Sequence, residues 1–233
     1  MLKFVFGRSG CGKSDYVFNQ IKELAISGEN NILLLTPEQY SLVAERRLLN
    51  DLGEDKVNCV DNSSFSRISN DVRRKYGSDA LPTLSKGGKV ILMCKAIDNC
   101  KDNFQLFNKN LDSLSFVTSM INIYDEMKSC NLDSLQINEL SKNIDNQVLY
   151  KKLADISLIM SAYELLIKDR FNDSSNELTR IYNQIFDKGY FKNKYVFIDG
   201  FNGFVAQEYK LLELIIAVSY THLRAHETDS YLV

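Results

Sequence analysis

The sequence predicts an α/β fold in which a mostly helical insertion interrupts a parallel sheet, and three observations lead to this prediction. An apolar run at residues 2–6 leads into a glycine-rich loop at residues 7–14, which precedes a helical pattern. Further apolar runs of strand length lie at residues 31–36 and 194–199, as expected for strands buried on both faces of a parallel sheet. Between them, residues 85–189 lack proline and carry helical stripes of apolar residues.

The composition is that of an ordinary globular protein and excludes several functional classes. The 233 residues are 45% hydrophobic and carry a formal net charge of −2. Any contact with DNA must therefore come from a local patch rather than from a strongly basic surface. The apolar runs are strand-sized, which predicts no membrane span and no membrane partner. The sequence enters its first strand directly, which predicts no signal peptide, and five cysteines without C-x-x-C pairing indicate reduced thiols in the cytoplasm.

The glycine-rich loop has the spacing G-x-x-x-x-G-K-S, which is typical of loops that surround the phosphates of a nucleotide. Gly7 allows the chain to turn sharply after the strand, and Gly10 and Gly12 allow backbone N–H groups to point inward at an anion. Lys13 supplies a cation for the β- and γ-phosphates, and the Ser14 hydroxyl is placed to ligate Mg²⁺. We therefore predict that the phosphates of ATP bind to eight consecutive residues: Gly7, Arg8, Ser9, Gly10, Cys11, Gly12, Lys13 and Ser14.

The helical pattern after the loop would put these phosphates at a helix N-terminus, where backbone N–H groups and the helix dipole favour anions. Strand, loop and helix in this order predict a P-loop NTPase-like sheet. The alternative is a glycine-rich turn that precedes an ordinary helix and binds nothing. The motif predicts nucleotide binding, but it does not by itself predict hydrolysis.

A carboxylate at the end of a second strand would complete such a site, since Mg²⁺ prefers oxygen ligands and retains part of its water shell. Asp199 ends the apolar run that begins at Lys194 and fits this position. The alternative is an aspartate that caps the next turn or helix. Gly200 follows where ATP-driven motors commonly have a glutamate that activates water, and Glu208 lies further on, in the next predicted helix. The sequence therefore predicts a site that binds ATP and Mg²⁺ without efficient hydrolysis.

Turn, cap and periodicity signals predict further elements along the chain. A helix is expected at residues 37–52 and a short strand at residues 56–60. A second helix is expected to begin at a Ser63 or Ser64 cap and to run to about residue 76. These predictions divide the chain into four regions: the first half of the α/β core at residues 1–84, a helical insertion at 85–190, a return to the core at 191–216, and a tail at 217–233.

The tail differs from the rest of the chain in composition. Lysine and asparagine are absent from it, and both histidines of the chain, His222 and His226, fall within it. This change predicts translated non-native sequence after a truncated reading frame. The H-x-x-x-H spacing lacks a third ligand, so no metal site is predicted there.

Several segments, in the same order, resemble the N-terminal part of the B subunit of AddAB (RexAB-like) helicase–nucleases. The segments are the glycine-rich loop with the preceding phenylalanine, Leu34–Gln39, Ser64–Arg67, Lys152–Ile156, Val196–Phe201 and Gln207–Tyr209. The loop alone is generic, whereas T-P-E-Q, S-F-S-R and I-D-G-F together are much more specific. The resemblance covers residues 1 to about 216 and implies a superfamily 1 helicase-like fold.

The resemblance implies a heterodimer with an AddA-type subunit that resects DNA double-strand breaks for homologous recombination under control of the Chi sequence. The complete protein would form part of an ATP-dependent helicase and exodeoxyribonuclease, which is a hydrolase. Its Mg²⁺-dependent nuclease and its iron–sulfur cluster are expected only in a C-terminal part that is not recognisable in this sequence. By the same resemblance, Gln39 and Arg67 fall where helicase-like folds line the DNA groove or the ATP site. The alternatives are a turn residue and a solvated or core-capping arginine.

Two other functions stay open from the residues alone. A stand-alone P-loop kinase or phosphotransferase would need a cluster of arginines for its substrate phosphate, and the helical region does not carry one. A non-catalytic module, in which the nucleotide only locks the fold, is favoured by Gly200.

Overall fold

The structure, a computed structural model, describes four stretches of the chain, with side chains as far as residue 219: residues 2–8, 10–77, 81–142 and 144–224. The chain divides into two compact units. The sheet unit comprises Met1–Gly77 and Leu178–Val233, and the helical unit is Ser78–Glu177.

The sheet lies in the sheet unit and is parallel throughout. Among the described residues, its strands are β1 (Lys3–Val5), β2 (Ile32–Leu35), β3 (Val60–Ser63), β4 (Tyr195–Ile198) and β5 (Tyr220–Arg224). Their order is β1-β5-β4-β2-β3, and every neighbouring pair is parallel. In the β2–β4 pair, Ile32 lies opposite Tyr195 and Leu35 opposite Ile198. Because the strands are parallel, their carboxyl ends meet at one edge of the sheet.

The described residues also contain the helices α1 (Lys13–Ile26), α2 (Glu38–Lys56), α3 (Phe65–Tyr76), α4 (Lys86–Cys100), α5 (Leu114–Ser129), α6 (Ser134–Ser141), α7 (Gln147–Ile167), α8 (Glu177–Ile185) and α9 (Ala206–Val218). The four helices from α4 to α7 lie in the helical unit. Among all the described residues, no helix is both long enough and apolar enough to cross a membrane.

Alternate residues of the buried strands face two separate cores. Leu33 and Leu35 of β2 and Ile198 of β4 share one core with residues of α3, α8 and α9. Leu34 of β2 and Phe197 of β4 share the other core with residues of α1 and α2. This period of two explains why both strands are apolar at every position. The prediction of an α/β fold with a parallel sheet is confirmed.

The helical unit packs its helices around a core of its own. Tyr124 of α5 and Tyr163 of α7 are fully buried there, with ring centroids 4.8 Å apart in an edge-to-face contact. The first and last segments of the unit run side by side. The N–H of Leu84 donates to the carbonyl of Asn172, and the N–H of Asn172 donates to the carbonyl of Pro82, both at 2.9 Å.

The boundaries of the helical region differ from the predicted 85–190. The unit begins at Ser78, and it ends at Glu177 because Ile181 and Ile185 of α8 pack in the same core as Leu33 of the sheet. An amphipathic stripe shows that a helix has a buried face, but it does not show which core that face joins.

The position predicted for the third strand is wrong. The helix α2 continues to Lys56 through a kink at Gly53, whose φ of 73° and ψ of 174° are non-helical and are open almost only to glycine. The strand therefore begins only at Val60, after a short 3₁₀ turn at Val57–Cys59. The Ser64 cap of α3 is confirmed, since its hydroxyl accepts a hydrogen bond from the N–H of Arg67 at 3.3 Å.

The region predicted to be a non-native tail includes the end of α9 and all of β5. The strand β5 pairs with β1 and β4, with the backbone of His222 in register with Lys3 and Phe197. Residues 225–233, with His226, lie outside the described residues. The non-native origin of residues 217–233 stays a prediction.

Candidate functional site

The glycine-rich loop joins β1 to α1 and has a backbone suited to binding an anion. Gly10 and Gly12 have φ angles of 72° and 84°, a region in which side-chain-bearing residues are strained. A Cβ on Gly7 would lie 2.4 Å from Sγ of Cys11, so the loop folds back closely at this glycine. A Cβ on Gly10 would meet no described atom within 4 Å, so the loop is open there. Ser9 lies outside the described residues.

Lys13, the first residue of α1, turns its side chain back into the loop. The residue is only 4% exposed, and its Nζ donates hydrogen bonds to the carbonyl oxygens of Gly7 and, at 2.6 Å, of Arg8. Carbonyl oxygens carry no formal charge, so these contacts do not neutralise the ammonium. The loop thus combines a buried cation with a helix N-terminus, two features by which proteins bind phosphates.

Ser14 and Asp199, from opposite ends of the sequence, line the same cavity of about 310 Å³ in the sheet unit. The other lining residues are Phe18, Thr36, Tyr40, Val43, Ala44, Arg47 and Gly200. A hydroxyl and a carboxylate in one cavity are oxygen ligands of the kind that Mg²⁺ takes together with phosphates and water. These residues and the open glycine loop therefore fit a magnesium–nucleotide complex.

Asp199 directly follows β4 and is 6% exposed. Its N–H donates to the carbonyl of Leu35 at 3.1 Å, which fixes the backbone of Asp199 at the carboxyl end of the strand. Gly200 then has a φ of 84°, and a Cβ there would lie 3.3 Å from Cδ of Pro37. The backbone at this position is therefore shaped for glycine, and a glutamate could be accommodated only with strain.

Arg47 of α2 lines this cavity and was not predicted from the sequence. The helical pattern gives no signal for it, because its position depends on how α2 packs against α1. The side chains of Phe18 and Tyr40 were missed for the same reason, since both read as ordinary helical residues.

A second cavity of about 400 Å³ shares Thr36 and Gly200 with the first one. It lies at the carboxyl ends of the strands and is lined by the segments Thr36–Gln39, Ser64–Ser66 and Gly200–Gly203 together with Glu208. The predicted groove residue Gln39 is among them. Phe201 packs beside this cavity against Phe65, at 5.6 Å between ring centroids.

Arg67, the other predicted groove or ATP-site residue, lines neither of these two cavities. Its Nη1 lies 2.7 Å from Oε1 of Glu45 and donates to the carbonyl of Asn62 at 3.1 Å. These contacts join α3 to α2 and β3. Its role at the groove or the ATP site stays a prediction.

Glu208 is engaged as a helix cap, because its Oε2 accepts a hydrogen bond from the N–H of Val205 at 2.9 Å. Burial raises the pKa of Glu208 above its ordinary value, and the hydrogen bond from Val205 offsets this only in part. Among the described residues, no group of three or more His, Cys, Asp or Glu side chains could hold a metal ion. A Mg²⁺ ion at Ser14 and Asp199 would therefore take its remaining ligands from the nucleotide and from water.

The fold and this geometry define an α/β protein with a glycine-rich loop, a hydroxyl and a carboxylate beside one edge of a parallel sheet. The family model described as "ADDB, N-terminal" matches residues 4–223 of the chain. The chain therefore belongs to the family of AddB N-terminal regions.

Curated relatives are named as the B subunit of an ATP-dependent helicase/deoxyribonuclease. The chain is 33% identical over 219 residues to the protein of Clostridioides difficile (strain 630), 30% over 217 residues to that of Ruminiclostridium cellulolyticum, and 32% over 219 residues to that of Clostridium tetani. Each alignment covers 92% of this chain and 19% of the relative. The chain thus spans about a fifth of the length of the relatives it matches.

Proposed function

We propose that this chain is the ATP-binding N-terminal region of a helicase–nuclease B subunit, which acts with an AddA-type subunit in DNA double-strand break resection and homologous recombination. The observation that carries the proposal is the cavity that Ser14 and Asp199 share beside the glycine-rich loop. Family membership supports it, since the relatives are named as the B subunit of an ATP-dependent helicase/deoxyribonuclease.

In this proposal, the loop holds the nucleotide by its phosphates. The N–H groups at Gly10 and Gly12 and the start of α1 face the anion, and Lys13 exchanges a carbonyl contact for a phosphate oxygen. Ser14 and Asp199 hold Mg²⁺, directly or through water. This is the site of a P-loop NTPase-like, superfamily 1 helicase-like fold.

The site is suited to binding rather than to rapid hydrolysis. Gly200 provides no carboxylate to activate water, and Glu208 is engaged at the start of α9. Bound ATP would then stabilise one arrangement of the loop and the cavity, while a partner protein supplies the motor activity.

The adjoining cavity is the proposed place for a DNA strand, and Chi-dependent control would act there. The helices α2 and α3 begin at this cavity, so their N-terminal N–H groups can contact phosphates. Phe201, which is only partly buried and packs against the buried Phe65, offers aromatic surface of the kind on which bases stack, and Gln39 can form hydrogen bonds to a base. Because the two cavities share Thr36 and Gly200, nucleotide and DNA would contact common residues.

The test is equilibrium titration of the chain with ATP in the presence of Mg²⁺. Lys13→Ala removes the cation of the loop and should weaken ATP binding about 10- to 100-fold, the worth of a charge-assisted hydrogen bond. Lys22→Ala, an exposed lysine on the same helix, should leave the affinity unchanged. Equal affinity of the wild type and the Lys13→Ala variant would exclude the loop as the ATP site.

A further inference from the structure

Among the described residues that line the cavity beside the loop, one has a cationic side chain, at a position that the phosphate-loop motif does not specify. Arg47 lies on α2 and lines this cavity together with Ser14, Thr36 and Asp199. Ser14 and Asp199 mark the end of the site where the cation would bind. A cation held there would neutralise the terminal phosphates, so Arg47, which lines the same cavity, would lie near the terminal phosphate.

The guanidinium of Arg47 contacts three side chains, two of which lie on α1, the helix that follows the loop. Its Nη2 lies 2.7 Å from Oδ1 of Asp15, the residue after Ser14, and its Nε lies 3.5 Å from Oδ2 of Asp51. Its Cζ lies 4.2 Å from the ring centroid of Phe18, one turn further along α1. Asp15 itself approaches the loop, since a Cβ on Gly12 would lie 3.6 Å from its Oδ2.

These contacts orient the arginine without burying it. The side chain of Arg47 is 34% exposed and that of Asp15 is 67% exposed, so their ion pair is accessible to solvent. Exposed pairs of this kind contribute little stability. A phosphate oxygen, with more negative charge and a geometry that suits the guanidinium fork, can therefore replace the carboxylate at small cost.

We propose that Arg47 binds the terminal phosphate of ATP, with Asp15 and Phe18 holding it in position until the nucleotide arrives. The inference rests on the proposed ATP site and explains how that site would select ATP over ADP, because ADP lacks the terminal phosphate that Arg47 contacts. Arg47 is thus a specificity residue that favours ATP over ADP. It also supplies a positive charge where Asp199 has added a negative one.

The experiment measures dissociation constants of the full chain for ATP and for ADP, each with Mg²⁺, by calorimetric titration. Arg47→Gln should weaken ATP binding about tenfold and change ADP binding less than about twofold, because a charge-assisted contact to one phosphate is lost. Arg47→Lys, which keeps the charge but not the fork, should give an intermediate ATP affinity. Arg46→Gln is the matched control, since it removes the same charge from an exposed neighbour on the same helix, and it should leave both affinities unchanged.

A purely structural role for Arg47 makes different predictions. If Arg47 only joins α2 to α1 through Asp15, then Asp15→Asn should impair nucleotide binding as Arg47→Gln does. The affinities for ATP and for ADP should then fall by the same factor. The proposal predicts that Asp15→Asn leaves ATP binding unchanged or tighter, since it frees the arginine and removes a charge that repels phosphate. Thermal unfolding of each variant reports any loss of the fold separately.

The outcomes separate this inference from the proposed function. ATP binding that depends on Lys13, with an ATP-to-ADP ratio unaffected by Arg47→Gln, keeps the proposed site and overturns the role of Arg47. The absence of any ATP binding to the wild type overturns both. A tenfold loss of affinity in Arg47→Gln that is confined to ATP supports both the proposed site and the role of Arg47.

Discussion

The sheet unit and the helical unit each bury a lysine and an aspartate, but they use them differently. In the sheet unit, Lys13 donates to main-chain oxygens, and Asp199 lines an open cavity. In the helical unit, Nζ of Lys89 lies 2.7 Å from Asp173 and 2.9 Å from Asp125. Asp199 faces a space that a ligand can fill and Lys13 is held by uncharged oxygens of the loop, whereas Lys89 lies between two carboxylates of the protein itself.

Two carboxylates more than balance the positive charge of Lys89. Burial alone would lower the pKa of Lys89, but the hydrogen bonds to Asp173 and Asp125 outweigh it and hold the pKa above its ordinary value. Lys89 also donates to Oγ of Ser175 at 2.8 Å. A serine–lysine pair is nucleophilic only if the lysine is neutral and can accept a proton, so this pair is not a catalytic dyad.

The two lysines allow a buried charge with a proposed binding role to be compared with one that has a structural role. Burial by itself does not distinguish them, since Lys13 and Lys89 are 4% and 7% exposed. What differs is whether the charge is balanced by protein carboxylates or is held by uncharged groups beside a cavity. Removing a carboxylate from the balanced cluster should therefore affect stability, whereas removing a charge beside the cavity should affect ligand binding.

The largest effect on stability is expected from Asp173→Asn. This change removes the buried carboxylate partner of Lys89 and leaves it the half-exposed Asp125, and it should destabilise the helical unit by about 1.5–3 kcal/mol, as expected for a lost hydrogen bond between charged groups. Asp125→Asn is the matched control, because the Asp125 side chain is 43% exposed and that of Asp173 only 1%; its cost should be about 0–1 kcal/mol. Hydrogen exchange in α4 and α7 measures both. Equal destabilisation by Asp173→Asn and Asp125→Asn would show that burial does not determine how much each ion pair with Lys89 contributes to stability.

A smaller effect is expected when pH is lowered. Burial alone would raise the pKa of Asp173, but hydrogen bonds from Lys89 and Ser175 hold it below the ordinary value of 3.8. A carboxyl with a lowered folded-state pKa contributes its full stability above 3.8 and loses it as pH falls through the folded-state value. Protection of the helical unit should therefore fall below about pH 4, and Asp173→Asn should reduce this dependence. If protection falls equally at low pH in the Asp173→Asn variant, groups other than Asp173 cause the pH dependence.

The smallest effect is expected at the glycine after the candidate Mg²⁺ ligand. Gly200→Ala puts a side chain at a φ of 84° and 3.3 Å from Pro37, and it should cost about 1–2 kcal/mol in the sheet unit. Gly203→Ala, in the same loop with open space around its Cβ, should change stability by less than about 0.5 kcal/mol. Chemical denaturation compares the two. If Gly200→Ala lowered the free energy of unfolding no more than Gly203→Ala does, the backbone at position 200 would not require glycine.

The parts of the site that follow from local sequence could be predicted. The loop residues and the strand that ends at Asp199 are contiguous patterns, and the parallel sheet explains how Ser14 and Asp199 come to one cavity. Arg47 could not be predicted, because its place depends on the packing of α2 against α1 and on a contact with Asp15 far away in the sequence. The helical boundary at Glu177 was missed for a related reason, since α8 resembles the preceding helices in pattern but packs against the sheet.

In the proposed site, the loop and Asp199 together hold a metal–nucleotide complex. The most direct measurement is electron paramagnetic resonance of free Mn²⁺, used in place of Mg²⁺, during titration with the chain in the presence and absence of ATP. We expect that Mn²⁺ binding requires ATP and is weakened about tenfold by Asp199→Asn, the loss of one charged ligand. Mn²⁺ binding that does not depend on ATP, or that is equal in the wild type and the Asp199→Asn variant, would contradict the claim.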